Sequence, residues 1–377
     1  MTQPSEGASS EAPYDDVGRR EVFGWAMYDF ANSSYTTVII TVCYSVVFPR
    51  LIVGDGPDYR MGNLLWSIAL SASNLLVVLT LPVLGAVMDQ VGRRKGFLAA
   101  STVLTATATA GLALAGPGDV ALAMGWAATL GVAAGVFALG AVYHAVVLPR
   151  SPEDVPRAEP ATRAGWDAVR SFASKPGMGV GLLFIVFFRF GENHMAKLVS
   201  PFLLDERGVG GLGLSLAEVG FAKGTVGVAC LVVGGLLGGA AIWRHGLKAW
   251  IWPMVFALNA PDLVYVYMAW AQPTSYPLIC GLIGVESFGY GFGFTAYMMV
   301  LIHLADGAYK TTHYAFATAL MALAVWMAQV WSGAAQEQLG YLGFFGWVLL
   351  LTLPGLLVTW LIDLPTDFGK APREGAA

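Results

Sequence analysis

Long apolar runs set apart by short polar breaks make up most of this chain, and the runs exceed what a buried helix of a soluble core requires. A helix needs about 20 mainly apolar residues to cross the hydrocarbon of a bilayer. On that measure, spans fall at 23–48, 62–88, 97–115, 119–148, 178–204, 214–242, 249–271, 276–304, 313–335 and 342–363. Strands are excluded because an open sheet edge has no partner in lipid, and the roughly ten-residue alternation of a membrane barrel is absent from the sequence. The pattern predicts an all-α fold, a polytopic membrane helix bundle of about ten transmembrane helices.

The basic residues orient that bundle. Arg19, Arg20, Arg93, Arg94, Lys95, Arg150, Arg157, Arg163, Arg170, Lys175, Arg244, Lys248, Lys310, Lys370 and Arg373 all fall on one side of the predicted spans, and Arg50, Arg60 and Arg207 on the other. The positive-inside rule then expects both termini in the cytoplasm and supports an even number of spans. The predicted layout is a cytoplasmic tail over 1–21, four spans over 22–148, a cytoplasmic linker over 149–176, six spans over 177–363 and a second tail over 364–377. The linker carries Pro149, Pro152, Pro156 and Pro160 and then an amphipathic stretch from Ala161 to Ser174, which reads either as a surface helix held by Trp166 and Phe172 or as a solvated tether. The first twenty residues are polar and acidic, without the form of a signal peptide, so the first span is expected to direct insertion into a bacterial cytoplasmic (inner) membrane.

Composition agrees: 56% of residues are hydrophobic and 12% charged, where soluble domains carry roughly a quarter charged residues. The net charge of -4 gives no reason to expect nucleic acid as a partner. Cys43, Cys230 and Cys280 stand singly in apolar runs, which points to neither a disulfide framework nor a metal site, and no cofactor is expected. The sequence lacks the ordering of a catalytic triad and the HExxH helix, so an enzyme is not expected.

Against this apolar background the ionisable residues inside spans stand out. They are Asp29, Arg189, Glu192, Lys197, Lys223, Asp262 and Glu286, with His194 beside them. A charge near the bilayer centre is costly and is usually retained for function. Arg189 and Glu192, three apart on a helix, are expected to pair on one face, with Lys197 in the same arc. The expected roles are attraction of an anionic group on a small-molecule solute by Arg189, Lys197 and Lys223, and exchange of a coupling proton by Glu192 or Glu286. A structural ion-pair network is the alternative, with Asp29 as a cap and Lys223 snorkelling outward. Gly289, Gly291 and Gly293 read as helix-packing positions, Trp25, Trp243, Trp250 and Trp270 as interfacial anchors, and His303 and His313 as exposed loop-end residues. Pro253, Pro261 and Pro354 are expected to kink their helices.

One loop adds a specific pattern: Gly85-Ala-Val-Met-Asp89-Gln-Val-Gly92-Arg93-Arg94-Lys95. Gly85 lets a neighbouring helix approach, Asp89 suits a helix N-terminus or an arginine, and Gly92 permits a tight turn. The spacing resembles the G-x-x-x-D-x-x-G-R-R/K loop of the major facilitator superfamily, which implies a gating role for Gly85, Asp89, Gly92, Arg93 and Arg94. A degenerate echo, Gly234-Gly235-x-x-Gly238-Gly239 followed by Arg244, Gly246 and Lys248, lacks the aspartate. The segment from Gly24 to Tyr35, with Trp25, Tyr28, Asp29 and Asn32, resembles the UMF1-like branch, whose members include amino-acid effluxers. From about Phe188 onward, Arg189-Phe190-Gly191-Glu192, Leu198 to Leu204, Leu214 to Gly220, Lys310 to Ala315 and Trp331-Ser332-Gly333 resemble AmpG-like permeases.

These resemblances imply a monomeric secondary transporter that moves a muropeptide or sugar by alternating access with a proton as coupling ion. The four-plus-six arrangement is two helices short of the usual twelve. Three readings stay open: a permease, a scaffold or receptor of transporter descent, and a truncated chain that does not transport.

Overall fold

The computed structural model describes residues 161–307 and 309–371, together with Val103. The four spans expected before the linker therefore lie outside the described residues apart from Val103, as do Asp29, Gly85, Asp89, Gly92, Arg93 and Arg94 and both chain termini.

Every regular element among the described residues is helical. Helix α1, Ala161–Ala173, is amphipathic, turning Ala168 and Phe172 inward and leaving Trp166 72% exposed. The chain then turns at Gly177, whose φ of 73° suits glycine, and leaves α1 at an angle of 93°. The next span is discontinuous, formed by α2 (Met178–Phe187), α3 (Phe190–Met195) and α4 (Val199–Leu204). Arg189, at φ -115° and ψ 24°, has left the helical region and makes the first break.

A capping box opens the second described span. The Ser215 N–H donates to Glu218 Oε2 at 2.8 Å, and the Glu218 N–H returns a bond to Ser215 Oγ at 3.3 Å. Helix α5 (Leu216–Val219) runs into a π-helical stretch at Gly220–Gly227 and on into α6 (Val228–His245). Helix α7 (Leu247–Asn259) passes through a 3-10 turn at Ala260–Asp262 into α8 (Leu263–Ala271). Pro261 lies in that turn, lacking an N–H and crowding the preceding turn, whereas Pro253 sits inside α7 without interrupting it. Helix α9 spans Tyr276–Ala305.

The remaining helical stretch, Lys310–Leu361, has 52 residues. At about 1.5 Å per residue it is far longer than a bilayer is thick. It is two spans: Gly340, at φ 65° and ψ 175°, interrupts α10 (Lys310–Leu351), and α11 (Leu353–Leu361) completes the return. The contacts show the reversal. His313 meets Lys175 at one end of the bundle, Tyr341 bonds Asp205 at the other, and Gly355 lies against the carbonyls of Phe187 and Phe188 on the way back. Gly340 falls between the spans expected at 313–335 and 342–363.

Glycine lets three of these helices pack backbone to backbone. On α9, Gly291 faces Leu231 of α6 while Gly289 and Gly293 face Ala257 and Met254 of α7, and at each a Cβ would strike a carbonyl oxygen. The Gly-x-Gly-x-Gly run is thus a double packing seam.

One expectation needs correction at the end of the bundle that carries Lys175. His313 is fully buried rather than exposed, because Phe172 of α1 covers its ring at a centroid distance of 5.3 Å. Lys175 Nζ donates to the carbonyls of Leu304 and Asp306, each at 2.6 Å, and to His313 Nδ1 at 2.9 Å. His313 Nε2 lies 3.1 Å from the Ala168 carbonyl, so the ring proton sits on Nε2 and donates to α1. The segment after α11 packs on the bundle: the Leu247 N–H donates to the Phe368 carbonyl at 2.9 Å and the Ala371 N–H to the Trp243 carbonyl at 2.7 Å. The Trp250 indole N–H donates to His245 Nδ1 at 3.1 Å, and its ring packs on Phe292.

Candidate functional site: a buried cluster of charges

Irregular helix geometry brings the intramembrane charges together. Lys223 stands on the π-helical stretch, Arg189 at the break before α3 and Glu192 in the first turn of α3, and Asp262 in the 3-10 turn between α7 and α8. π-helical insertions are frequent at functional sites because the extra residue reaims a side chain. Glu286 comes from the middle of the regular helix α9.

Arg189 does not pair with Glu192 as its spacing suggests. Its backbone is outside the helix, so the three-residue spacing no longer aligns the two side chains. Its guanidinium instead lies over the rings of Phe294 (4.7 Å), Tyr290 (4.9 Å) and Tyr297 (5.8 Å), and Nη2 donates to the Tyr290 hydroxyl at 2.6 Å. Those rings recur at the spacing of one face of α9, where a weakly hydrated planar cation is well accommodated. Arg189 is 8% exposed and its Nε has no hydrogen-bond partner among the described residues.

A second line of contacts runs from Lys223 to Glu286. Lys223 Nζ donates to the Tyr265 hydroxyl at 3.4 Å, which donates to Glu286 Oε2 at 3.1 Å. The Ser287 hydroxyl reaches the same oxygen at 3.2 Å, and the ammonium itself lies 3.9 Å from it. Lys223 therefore points inward, not toward lipid headgroups.

Other polar atoms stay open. Glu192 is 5% exposed with Oε2 unpartnered, and Asp262 is 1% exposed with neither carboxyl oxygen partnered among the described residues. Asn259, one turn before Asp262, donates its amide to the Val255 carbonyl at 2.8 Å but leaves Oδ1 open. These groups form one electrostatic unit. Glu192 lies within Coulombic reach of Glu286, Arg189 and Lys223, and Asp262 within reach of Glu192 and Glu286. Three carboxyl groups thus share the cluster with two fixed cations.

Lys197 stands apart. Its Nζ donates to the Gln329 carbonyl of α10 at 3.2 Å and lies close to Gly333, with no carboxylate partner among the described residues. His194 bonds the Phe190 carbonyl through Nδ1 at 2.7 Å and packs edge-on against Trp347. The sequence reading overlooked Tyr265, Tyr290 and Asn259 and gave Asp262 no role. The available signals were hydroxyls and an amide inside spans, the aromatic face at 290, 294 and 297, and the proline break beside Asp262.

Fold and site together define an α-helical integral membrane protein with a charged centre. Comparison with known proteins places similarity among permeases. The chain is 25% identical over 185 residues to a protein named as a transporter, AmpG 4 of Rickettsia conorii, covering 48% of this chain and 42% of that one. It is 26% identical over 179 residues to AmpG 1 of Rickettsia felis, covering 47% and 38%. Similarity to the anhydromuropeptide permease of Escherichia coli is 23% over 214 residues, covering 56% and 42%. The chain spans about two fifths of the length of these curated relatives. No family model matches it.

Proposed function

We propose that this protein is a secondary transporter of the major facilitator type, moving a small polar solute that bears an anionic group, a muropeptide or related sugar, across the inner membrane by alternating access coupled to protons. The observation that carries the reading is the buried cluster itself: charges drawn from four separate stretches of chain converge, yet several donors and acceptors have no partner among the described residues. A network present only to staple helices would leave buried polar atoms satisfied. Open donors and acceptors on irregular helix segments suit a solute that comes and goes.

In this reading Arg189 and Lys223 receive the anionic group, and Lys197, with only a carbonyl as partner, adds positive charge along its path. The coupling proton sits on Glu192 or Glu286. Gly85, Asp89, Gly92, Arg93 and Arg94 form the gating loop, with Asp29 assisting in the first span. The names of the relatives support the solute class, since one is an anhydromuropeptide permease.

The test is uptake into proteoliposomes over a panel of anhydromuropeptides, sugars and amino acids, with and without an imposed pH gradient. Accumulation of a muropeptide or sugar that collapses with the gradient is the expected result. Movement of amino acids alone, or of none of the panel, would refute the proposal.

A further inference from the structure

The three carboxyl groups of the cluster differ in how they are held. Glu286 is committed: Tyr265 and Ser287 donate to its Oε2, and the Lys223 ammonium stands beside them. Asp262 is the opposite case, with both oxygens buried and no donor directed at either among the described residues. It lies in the 3-10 turn where Pro261 interrupts the span, one turn after Asn259, and Asn259 Oδ1 and Glu192 Oε2 are likewise without a donor among the described residues. Burying an ionised carboxylate without a hydrogen-bond donor is costly, and a proton removes that charge. Among the described residues, the titratable groups within electrostatic reach of Asp262 are Glu192 from α3, Glu286 from α9 and Tyr265 from α8. None of them brings positive charge to it, while Arg189 and Lys223 both lie within reach of Glu192.

We infer that Asp262 and Glu192 form the proton-carrying carboxyl pair of this site, with Asp262 as the resting seat of the proton and Glu286 as a fixed anion. The inference rests on the transport reading and revises its choice of Glu192 or Glu286 as proton carrier, keeping Glu192 and putting Asp262 in place of Glu286. A hydronium ion on the proton-rich side gives its proton to a carboxylate of the pair and leaves as water. On the other side the carboxyl gives the proton back to water. Glu192 lies between the cations and Asp262 in electrostatic reach, so an anionic solute arriving at Arg189 and Lys223 would draw their charge from Glu192 and favour its protonation. The coupling of solute to proton would thus pass through a competition for two cations.

Two measurements test this, one independent of transport. In infrared titration of the purified protein, the band of a protonated, buried carboxyl group is expected in the wild type and lost in Asp262→Asn, while Asp262→Glu retains a shifted band. An unchanged band in Asp262→Asn overturns the assignment whether or not the protein transports anything. In proteoliposomes, Asp262→Asn is expected to reduce pH-gradient-driven accumulation at least tenfold, and to reduce it far more than solute exchange at equal pH. Equal loss of exchange and accumulation would make Asp262 a binding or structural residue and overturn the role, as would accumulation driven by a sodium gradient in place of the pH gradient. Failure of the wild-type protein to exchange any muropeptide, sugar or amino acid would refute the transport reading, and the infrared result would still decide the proton's seat.

Discussion

Two partly buried lysine sites in this protein invite comparison because they are assembled from similar parts and finished differently. At the end of the bundle, Lys175 donates to two carbonyls and to His313, whose other nitrogen donates to α1. Each of those donors is used, and the knot ties the linker helix to α9 and α10. In the centre, Lys223 faces Tyr265 and Glu286, but Glu192, Asp262, Asn259 and Arg189 keep atoms without partners among the described residues. An unsatisfied buried polar group costs about 1–3 kcal/mol, more when charged, so the central site gives up stability that the knot retains. A site left incomplete at that cost is where a solute and a proton have room to act, whereas a completed one serves as a hinge pin or staple.

The largest effect that would test this contrast comes from breaking the central ion pair. Glu286→Gln leaves the Lys223 ammonium buried without its counterion, and removal of one partner of a buried pair typically costs ~3–5 kcal/mol. Thermal unfolding in detergent should show that loss. Replacing both residues, as Lys223→Met with Glu286→Leu, should recover most of the stability while uptake stays abolished, because apolar groups of similar volume fill the site without its charge. If the double variant transports normally, the central cluster is as structural as the knot and the contrast fails. Tyr265→Phe is a smaller perturbation. It deletes one hydrogen bond to a carboxylate, expected to cost about 1.5–3 kcal/mol, and leaves Lys223 and Glu286 facing one another. Solute affinity should weaken less than in Glu286→Gln, measured by binding to the purified variants.

The parts of this arrangement that the sequence made legible follow from local rules. Among the described residues, the spans at 214–242, 249–271 and 276–304 could be read because twenty apolar residues leave few alternatives in lipid, and the turn at Gly340 falls between two expected spans. The glycines of α9 were recognisable as packing positions from spacing alone, although not that they serve two neighbours at once. The site residues Arg189, Glu192, Lys223 and Glu286 stood out as charges in apolar runs, but their partners did not. Helical spacing paired Arg189 with Glu192, and the real backbone breaks at Arg189 and sends its side chain to α9. The π-helical stretch that turns Lys223 inward depends on packing against α9, which is invisible to any pattern within one span. His313 was misread for the same reason, since its cover comes from Phe172, more than a hundred residues earlier.

Lys175 supplies the mildest test and the one that separates the two sites by chemistry. Lys175→Met removes three hydrogen bonds from a half-buried position, and with solvent nearby the expected loss is about 1 kcal/mol of stability, with uptake unchanged. Its pH dependence has a definite sign. Burial lowers the ammonium's pKa below the ordinary 10.5, and the charge of Asp306 opposes that shift without cancelling it. Below the lowered folded-state value both folded and unfolded chains hold the proton, and burial weighs fully against the folded form. Between that value and 10.5 the unfolded chain binds more protons than the folded one, so stability contributed by Lys175 rises with pH. The stability gap between wild type and Lys175→Met should therefore widen as pH climbs through that window, in unfolding midpoints measured side by side. A gap that shrinks instead would mean that the ammonium is better held folded than unfolded, and the knot would then be an electrostatic latch rather than a staple of hydrogen bonds.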